Sequence, residues 1–361
     1  MHRIKRTGLT LRKSAILLWV PFLLAINLLL YAFFKIDLSK NLLRALCALL
    51  CVVYLLLTRR IGKTEFILLL IAAYLIVING DVSFNMAYMI ILSVSLATCK
   101  RERVIDNYNK VHILVIIIVA ISLFTGIVEN DNWTYLGRTR NSFGFSHVNY
   151  VGLLMFSAGS LYLLSRKTIK WLDLVGCVVA SYIVFRYSDS RTGFIGTLIL
   201  ICLLLCFRFI SSEKIKILVT IIITLFFFSP LLWRLPQFNS VTVNQLLSNR
   251  PRLFSYYINK NSLINLIFGG SKAGEVDNGF LMLLFNCGFV IYLGIYAAVL
   301  RSAIIKTNNR RSVEVAFIIA TLSVAVMESS IIRPELPCMV FFWTTVVADL
   351  KPSSTKENDN N

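Results

Sequence analysis

Seven arginines fall in the segments between apolar runs that read as the outer side: Arg138, Arg140, Arg186, Arg191, Arg250, Arg252 and Arg333. A guanidinium stays charged at any working pH and matches a phosphate bidentately, so this inventory fits a pyrophosphate head group. Taken singly, each also suits a lipid head group or a loop carboxylate.

A second set supplies proton acceptors and hydrogen-bonding groups. The segment GRTRNSFGFSHVNYVG, residues 137–152, has the glycine, asparagine and serine content of a tight turn and sets His147 and Asn149 where an apolar run begins. An imidazole with a pKa near neutrality serves there as a base or a substrate hydrogen bonder, and equally as a helix cap. In FRYSDSRTGF, residues 185–194, Asp189 lies between Arg186 and Arg191. That is either a salt bridge holding a turn or part of a polar site. In FGGSKAGEVDNGFLMLLFNCGFVIYLG, residues 268–294, Glu275, Asp277 and Asn278 stand just before another apolar run. A carboxylate in that place is a base or an N-terminal cap. Gly269, Gly270, Ser271 and Gly274 allow backbone N–H groups to approach an anion, but neither GxxxxGK[ST] nor GxGxxG is present, which excludes a nucleotide loop.

The elements that must hold these residues are membrane helices. Of 361 residues 57% are hydrophobic and only 15% charged, with a mean hydropathy of +0.74. Soluble domains do not combine so much apolar character with so little charge. Apolar runs fall near 14–34, 41–57, 65–79, 84–98, 111–128, 150–164, 171–185, 193–209, 215–232, 279–300, 313–330 and 336–349. The expected fold is therefore an all-α, polytopic helical bundle of about 12 transmembrane helices. Residues 1–361 read as a single integral membrane domain. Within it, 233–278 is a long extracytoplasmic loop with helix-like periodicity, and 351–361 is a disordered cytoplasmic tail. Ser14–Phe34 follows a basic stretch, is too long for a signal peptide and has no small-residue cleavage site after it, so it reads as a retained first span.

The 37 Lys and Arg against 18 Asp and Glu would point to nucleic acid in a soluble protein. Here topology accounts for most of the excess, and no nucleic-acid partner is expected. Short cytoplasmic loops carry the surplus of basic residues, with about 24 falling inside and about 13 outside when the N-terminus is cytoplasmic. Both termini then lie in the cytoplasm. Five of eight cysteines, Cys47, Cys51, Cys177, Cys202 and Cys206, sit well inside apolar runs, and none of the eight belongs to a CxxC pair, so no metal site is expected.

Taken together, GFSHVN before a span, SRTG one hairpin later, and a long loop running from NRPRLFSYY through IFGGS to VDNGFLMLLFNCG resemble the O-antigen ligase and Wzy-type polysaccharide polymerase superfamily. The likeness covers roughly residues 135–295, and the first four runs match only in being hydrophobic. It implies a GT-C-like, metal-independent and cofactor-free glycosyltransferase in the bacterial cytoplasmic membrane. The implied reaction joins undecaprenyl-pyrophosphate-linked oligosaccharide repeat units into capsular polysaccharide, exopolysaccharide or O-antigen chains at the outer face. Implied partners are that lipid-linked oligosaccharide, the bilayer, a flippase and a chain-length regulator.

The resemblance assigns the pyrophosphate to Arg191, Arg250 and Arg252, with Arg138 and Arg140 from the same outer set. Asp277 and His147 are the candidate bases, and Asn149, Asn278 and Asp189 the candidate substrate contacts. Ligases of the superfamily place a histidine directly before the asparagine that enters the span after the long loop, whereas this chain has Asp277 before Asn278. That departure favours a polymerase over a ligase-like transferase. A flippase or exporter of the same lipid-linked unit is the competing reading, since many spans and intramembrane charge suit a transporter as well.

Overall fold

The apolar runs become helices, with Pro230 carried inside one and Gly288 breaking another, and the polar or glycine-containing stretches between runs become the turns. The computed structural model describes residues 17, 19–36, 39–58, 61–78, 81–130, 132–135, 138–232, 235, 240–241, 244, 250–270 and 276–351. The basic N-terminal stretch, Arg59 and Arg60, most of 233–249, the 271–275 segment with Glu275, and the tail from 352 lie outside the described residues.

The helices are α1 (Trp19–Leu28), which runs into a π turn at Leu29–Phe33, α2 (Ser39–Thr58), α3 (Lys63–Ile78), α4 (Asp81–Leu96) and α5 (Arg101–Phe124). A hairpin of β1 (Asn132–Tyr135) and β2 (Arg138–Asn141) follows, antiparallel with Trp133 opposite Arg140. Then come α6 (Asn149–Ser165), α7 (Trp171–Ser188), α8 (Arg191–Cys206) and α9 (Ser212–Leu232). The last part holds α10 (Arg250–Lys260), α11 (Leu263–Phe268), α12 (Gly279–Asn308), α13 (Ser312–Met327), a 3-10 turn at Ser329–Ile332, and α14 (Pro337–Leu350).

The chain is a helical membrane protein, but the expected count of about 12 transmembrane helices is corrected. Among the described residues four helices, α5, α7, α9 and α12, are long and apolar enough to cross a membrane, and seven further apolar helices have 10–17 residues. Spanning the hydrocarbon takes about 20 helical residues, whereas a 16-residue helix reaches only about 24 Å. Counting apolar residues overstated the helices because some of them lie in turns. The run 193–209, for example, ends as a helix at Cys206, and Phe207 and Phe209 belong to the turn beyond it.

The chain divides into two compact units. The first takes the described residues of Met1–Leu69, Tyr88–Ile201 and Pro334–Ala348. In it α6 packs against both α5 and α7. His112 of α5 bonds Ser157 of α6 through Nε2 at 3.0 Å, and Ser157 accepts from the Cys338 backbone N–H of α14 at 2.9 Å, all three residues being buried. Helices α6 and α8 cross through glycine. A Cβ on Gly193 would meet the Gly152 carbonyl oxygen at 2.2 Å, so the backbones touch where no side chain intervenes. A buried ionic group ties three further segments, with Glu335 accepting from Arg44 Nε at 2.7 Å and from Asn27 Nδ2 at 3.0 Å.

The second unit takes the described residues of Leu70–Ala87, Cys202–Arg333 and Asp349–Asn361. Its centre is α12 packed on α9 and α13, with Phe227 edge-on to Phe280 at a centroid separation of 5.0 Å. Helix α12 is broken at Gly288, whose φ of 76° is open to glycine. The break seats α11. A Cβ at Gly288 would fall 2.4 Å from the Ile267 carbonyl oxygen, and one at Gly269 would fall 2.4 Å from that of Asn286. At the far end of α12, Lys306 pairs with Glu314 at 2.7 Å and Asp349 at 2.9 Å, and Ser302 donates to Asp349.

Candidate functional site

In the second unit three charged residues converge at the start of α12. Asn278 is its N-cap, accepting from the Leu281 N–H at 2.9 Å, and its Nδ2 donates to the Val326 carbonyl at 2.7 Å, which ties this end to the last turn of α13. Glu328 is the C-cap of α13. The two ends therefore bring Asp277 and Glu328 to one place, and Arg250, first residue of α10, lies between them. Its Nη2 stands 3.6 Å from Glu328 Oε1 and 3.8 Å from Asp277 Oδ2. The side chain of Glu328 is 5% exposed and that of Asp277 is 51% exposed, so the cluster has one buried anchor and one carboxylate open to an incoming molecule. Pro251, Phe254 and Ile258 are the buried face of α10 and fix the position from which Arg250 reaches out.

Arg252, the other arginine of α10, has an exposed side chain, and its backbone N–H donates to Asn244 Oδ1 at 3.0 Å. Arg333 donates to Ser329 Oγ at 3.3 Å. Asn278, expected as a substrate contact, is fully buried, with its side chain bonded to the Leu281 N–H and the Val326 carbonyl.

In the first unit a second polar group forms where α6 begins and α7 gives way to α8. Arg140 of β2 donates to Asn149 Oδ1 at 2.8 Å, to the Asp189 carbonyl at 3.0 Å and to the Ser188 carbonyl at 3.4 Å. Asp189 adopts a left-handed φ of 49° that ends α7, and its carboxylate faces Arg191 at 3.2 Å and Arg140 at 3.9 Å. The arginine expected opposite Arg191 was Arg186; Arg140 takes that place, and Arg186 is exposed on α7. Arg140 thus clamps the hairpin to two helix ends, which commits three of its donations to the fold. The guanidinium of Arg191, 48% exposed, is the more open of the two. His147, two residues before α6, accepts from the Asn149 N–H at 3.2 Å through Nδ1, while Val148 is the N-cap. Arg138 lies in β2, in register with Tyr135.

Two carboxylates of consequence escaped sequence reasoning, Glu328 and Glu335. Both stand in VMESSIIRPELP, a polar interruption between the last two apolar runs, and ionisable residues among apolar ones are the signal that marks them. Among the described residues no group of three or more histidines, cysteines and carboxylates is arranged to hold a metal ion. Comparison of the chain with protein-family models, with curated proteins and with solved structures gives no match.

Proposed function

We propose that the protein is a glycosyltransferase that polymerises undecaprenyl-pyrophosphate-linked oligosaccharide repeat units at the outer face of the bacterial cytoplasmic membrane. What supports the reading is the convergence of Arg250 with Asp277 and Glu328 at the start of α12, because the reaction needs a cation for a departing pyrophosphate beside a proton acceptor for an attacking hydroxyl. In this reading a sugar hydroxyl of one unit attacks the anomeric carbon of the growing chain. The bond from that carbon to the pyrophosphate oxygen breaks, its electron pair leaves with the pyrophosphate, and the hydroxyl proton passes to Asp277. Arg250 stabilises the departing charge while Glu328 holds its guanidinium in place. Arg252 supplies a further exposed guanidinium for phosphate.

Deleting the gene and separating the surface polysaccharide by gel electrophoresis tests the proposal. Single repeat units transferred without long chains are expected. A complete loss of surface material, with lipid-linked units accumulating on the cytoplasmic side, would make the protein an exporter instead.

A further inference from the structure

Helices α5, α6 and α7 line a groove of about 390 Å³ within the first unit, which shares no lining residue with the Arg140 group of that unit. Small residues open it. Gly159, Gly176 and Ala180 form part of its lining, and a Cβ at Gly176 would meet nothing within 4 Å. Ile113 and Ile116 supply an apolar wall, and the neighbouring surface of α7 is apolar too, with Val175 and Val179 exposed. Since α7 is long and apolar enough to span, an apolar slot on its flank opens toward hydrocarbon.

One end of the slot is polar and built rigidly. Asp173 and Tyr162 line it; Tyr162 donates to Asp173 at 2.6 Å, Arg166 pairs with the same carboxylate at 2.9 Å, and the Arg166 guanidinium lies 4.8 Å from the Tyr162 ring centre. That pairing neutralises Asp173. It leaves the ammonium groups of Lys167 and Lys170 exposed on the turn that joins α6 to α7, just beyond this end. Trp171, 67% exposed at the next position, is the residue type that settles at a membrane interface.

We propose that this groove is a binding site for an anionic phospholipid of the surrounding bilayer, with an acyl chain along the glycine-floored slot and the phosphate on Lys167 and Lys170. The apolar lining suits an acyl chain, and two cations beyond the polar end favour an anionic head group over a zwitterionic one. The proposal is independent of the glycosyltransferase reading.

The test is thermal unfolding of the purified full-length protein in detergent with added dioleoylphosphatidylglycerol, dioleoylphosphatidylcholine or free glycerol phosphate. Phosphatidylglycerol is expected to raise the midpoint by several degrees over phosphatidylcholine, with no rise from glycerol phosphate. Gly176→Leu, whose Cβ meets nothing within 4 Å, and the surface double variant Lys167→Gln/Lys170→Gln are each expected to lose that increment. Equal midpoints in the two lipids, the same rise with glycerol phosphate, or an increment kept by the double variant would each overturn the proposal. The double variant keeps the test decisive should Gly176→Leu fail to fold.

Discussion

Nη2 of Arg250 stands 3.6 Å from the carboxylate of Glu328, a side chain only 5% exposed, and 3.8 Å from that of the half-exposed Asp277, so a buried and an open carboxylate share one guanidinium nitrogen. An arginine held this way keeps a fixed direction without drawing on substrate for its placement, which is the condition for electrostatic stabilisation of a leaving group.

Arg250→Ala is expected to lower chain extension by roughly 100-fold, the usual cost of removing a preorganised charge-stabilising donor. Arg250→Lys should recover a small part, because a point ammonium cannot serve two carboxylates and a phosphate through one planar fork. Chain-length profiles at matched membrane abundance check both, and wild-type profiles in the alanine variant would remove Arg250 from the site.

Asp277 and His147 separate cleanly. Asp277→Asn should abolish polymerisation while leaving Arg250 its buried partner, whereas His147→Gln should retain much of it, since the ring nitrogen is engaged as an acceptor for the Asn149 N–H. His147→Ala should cost about 1 kcal/mol of stability, the size of one lost hydrogen bond. An inactive His147→Gln beside an active Asp277→Asn, at equal expression, would reassign the base.

The Lys306 cluster is a structural element distinct from the site. Lys306→Met leaves Asp349 buried without its lysine and Glu314 with Arg311 at 3.6 Å, and should destabilise the protein by about 3 kcal/mol. Adding Glu314→Gln and Asp349→Asn should restore much of the loss. Unfolding midpoints in detergent compare the variants, and no loss in the single variant would refute the account of the cluster.

At the α6 and α8 crossing, Gly193→Leu forces a side chain against the Gly152 carbonyl and should reduce the amount of folded protein in the membrane. Fluorescence-detected gel filtration of a tagged protein reads this directly. A monodisperse peak of unchanged height would show that the helices separate at little cost.

Helix positions were legible because apolar runs of this length leave the chain few alternatives, and α6, α7, α9 and α12 fall where the runs fall. The number of spans was not, since apolar residues such as Phe207 and Phe209 continue a run in sequence but lie in a turn. At the site, Arg250 was singled out as an arginine on the outer side and Asp277 as a carboxylate before an apolar run, and the two stand 3.8 Å apart. Their buried partner was invisible because Glu328 lies 51 positions beyond Asp277 and reaches it through tertiary packing of α12 on α13. Arg140 shows the same limit from the other side. Its position at the mouth of α6 marked it as a phosphate ligand, and only the geometry reveals that the hairpin turns it into a clamp on Asn149 and Asp189.

The central claim is tested most directly by reconstituting the purified protein with polyprenyl-pyrophosphate-linked repeat units and following products by mass spectrometry. The account predicts lipid-linked oligosaccharides longer by whole repeat units, one polyprenyl pyrophosphate released per unit added, and both products formed roughly 100-fold more slowly with Arg250→Ala. Recovery of unextended units by the wild-type protein, from a preparation that is folded and supplied with both donor and acceptor, would contradict it.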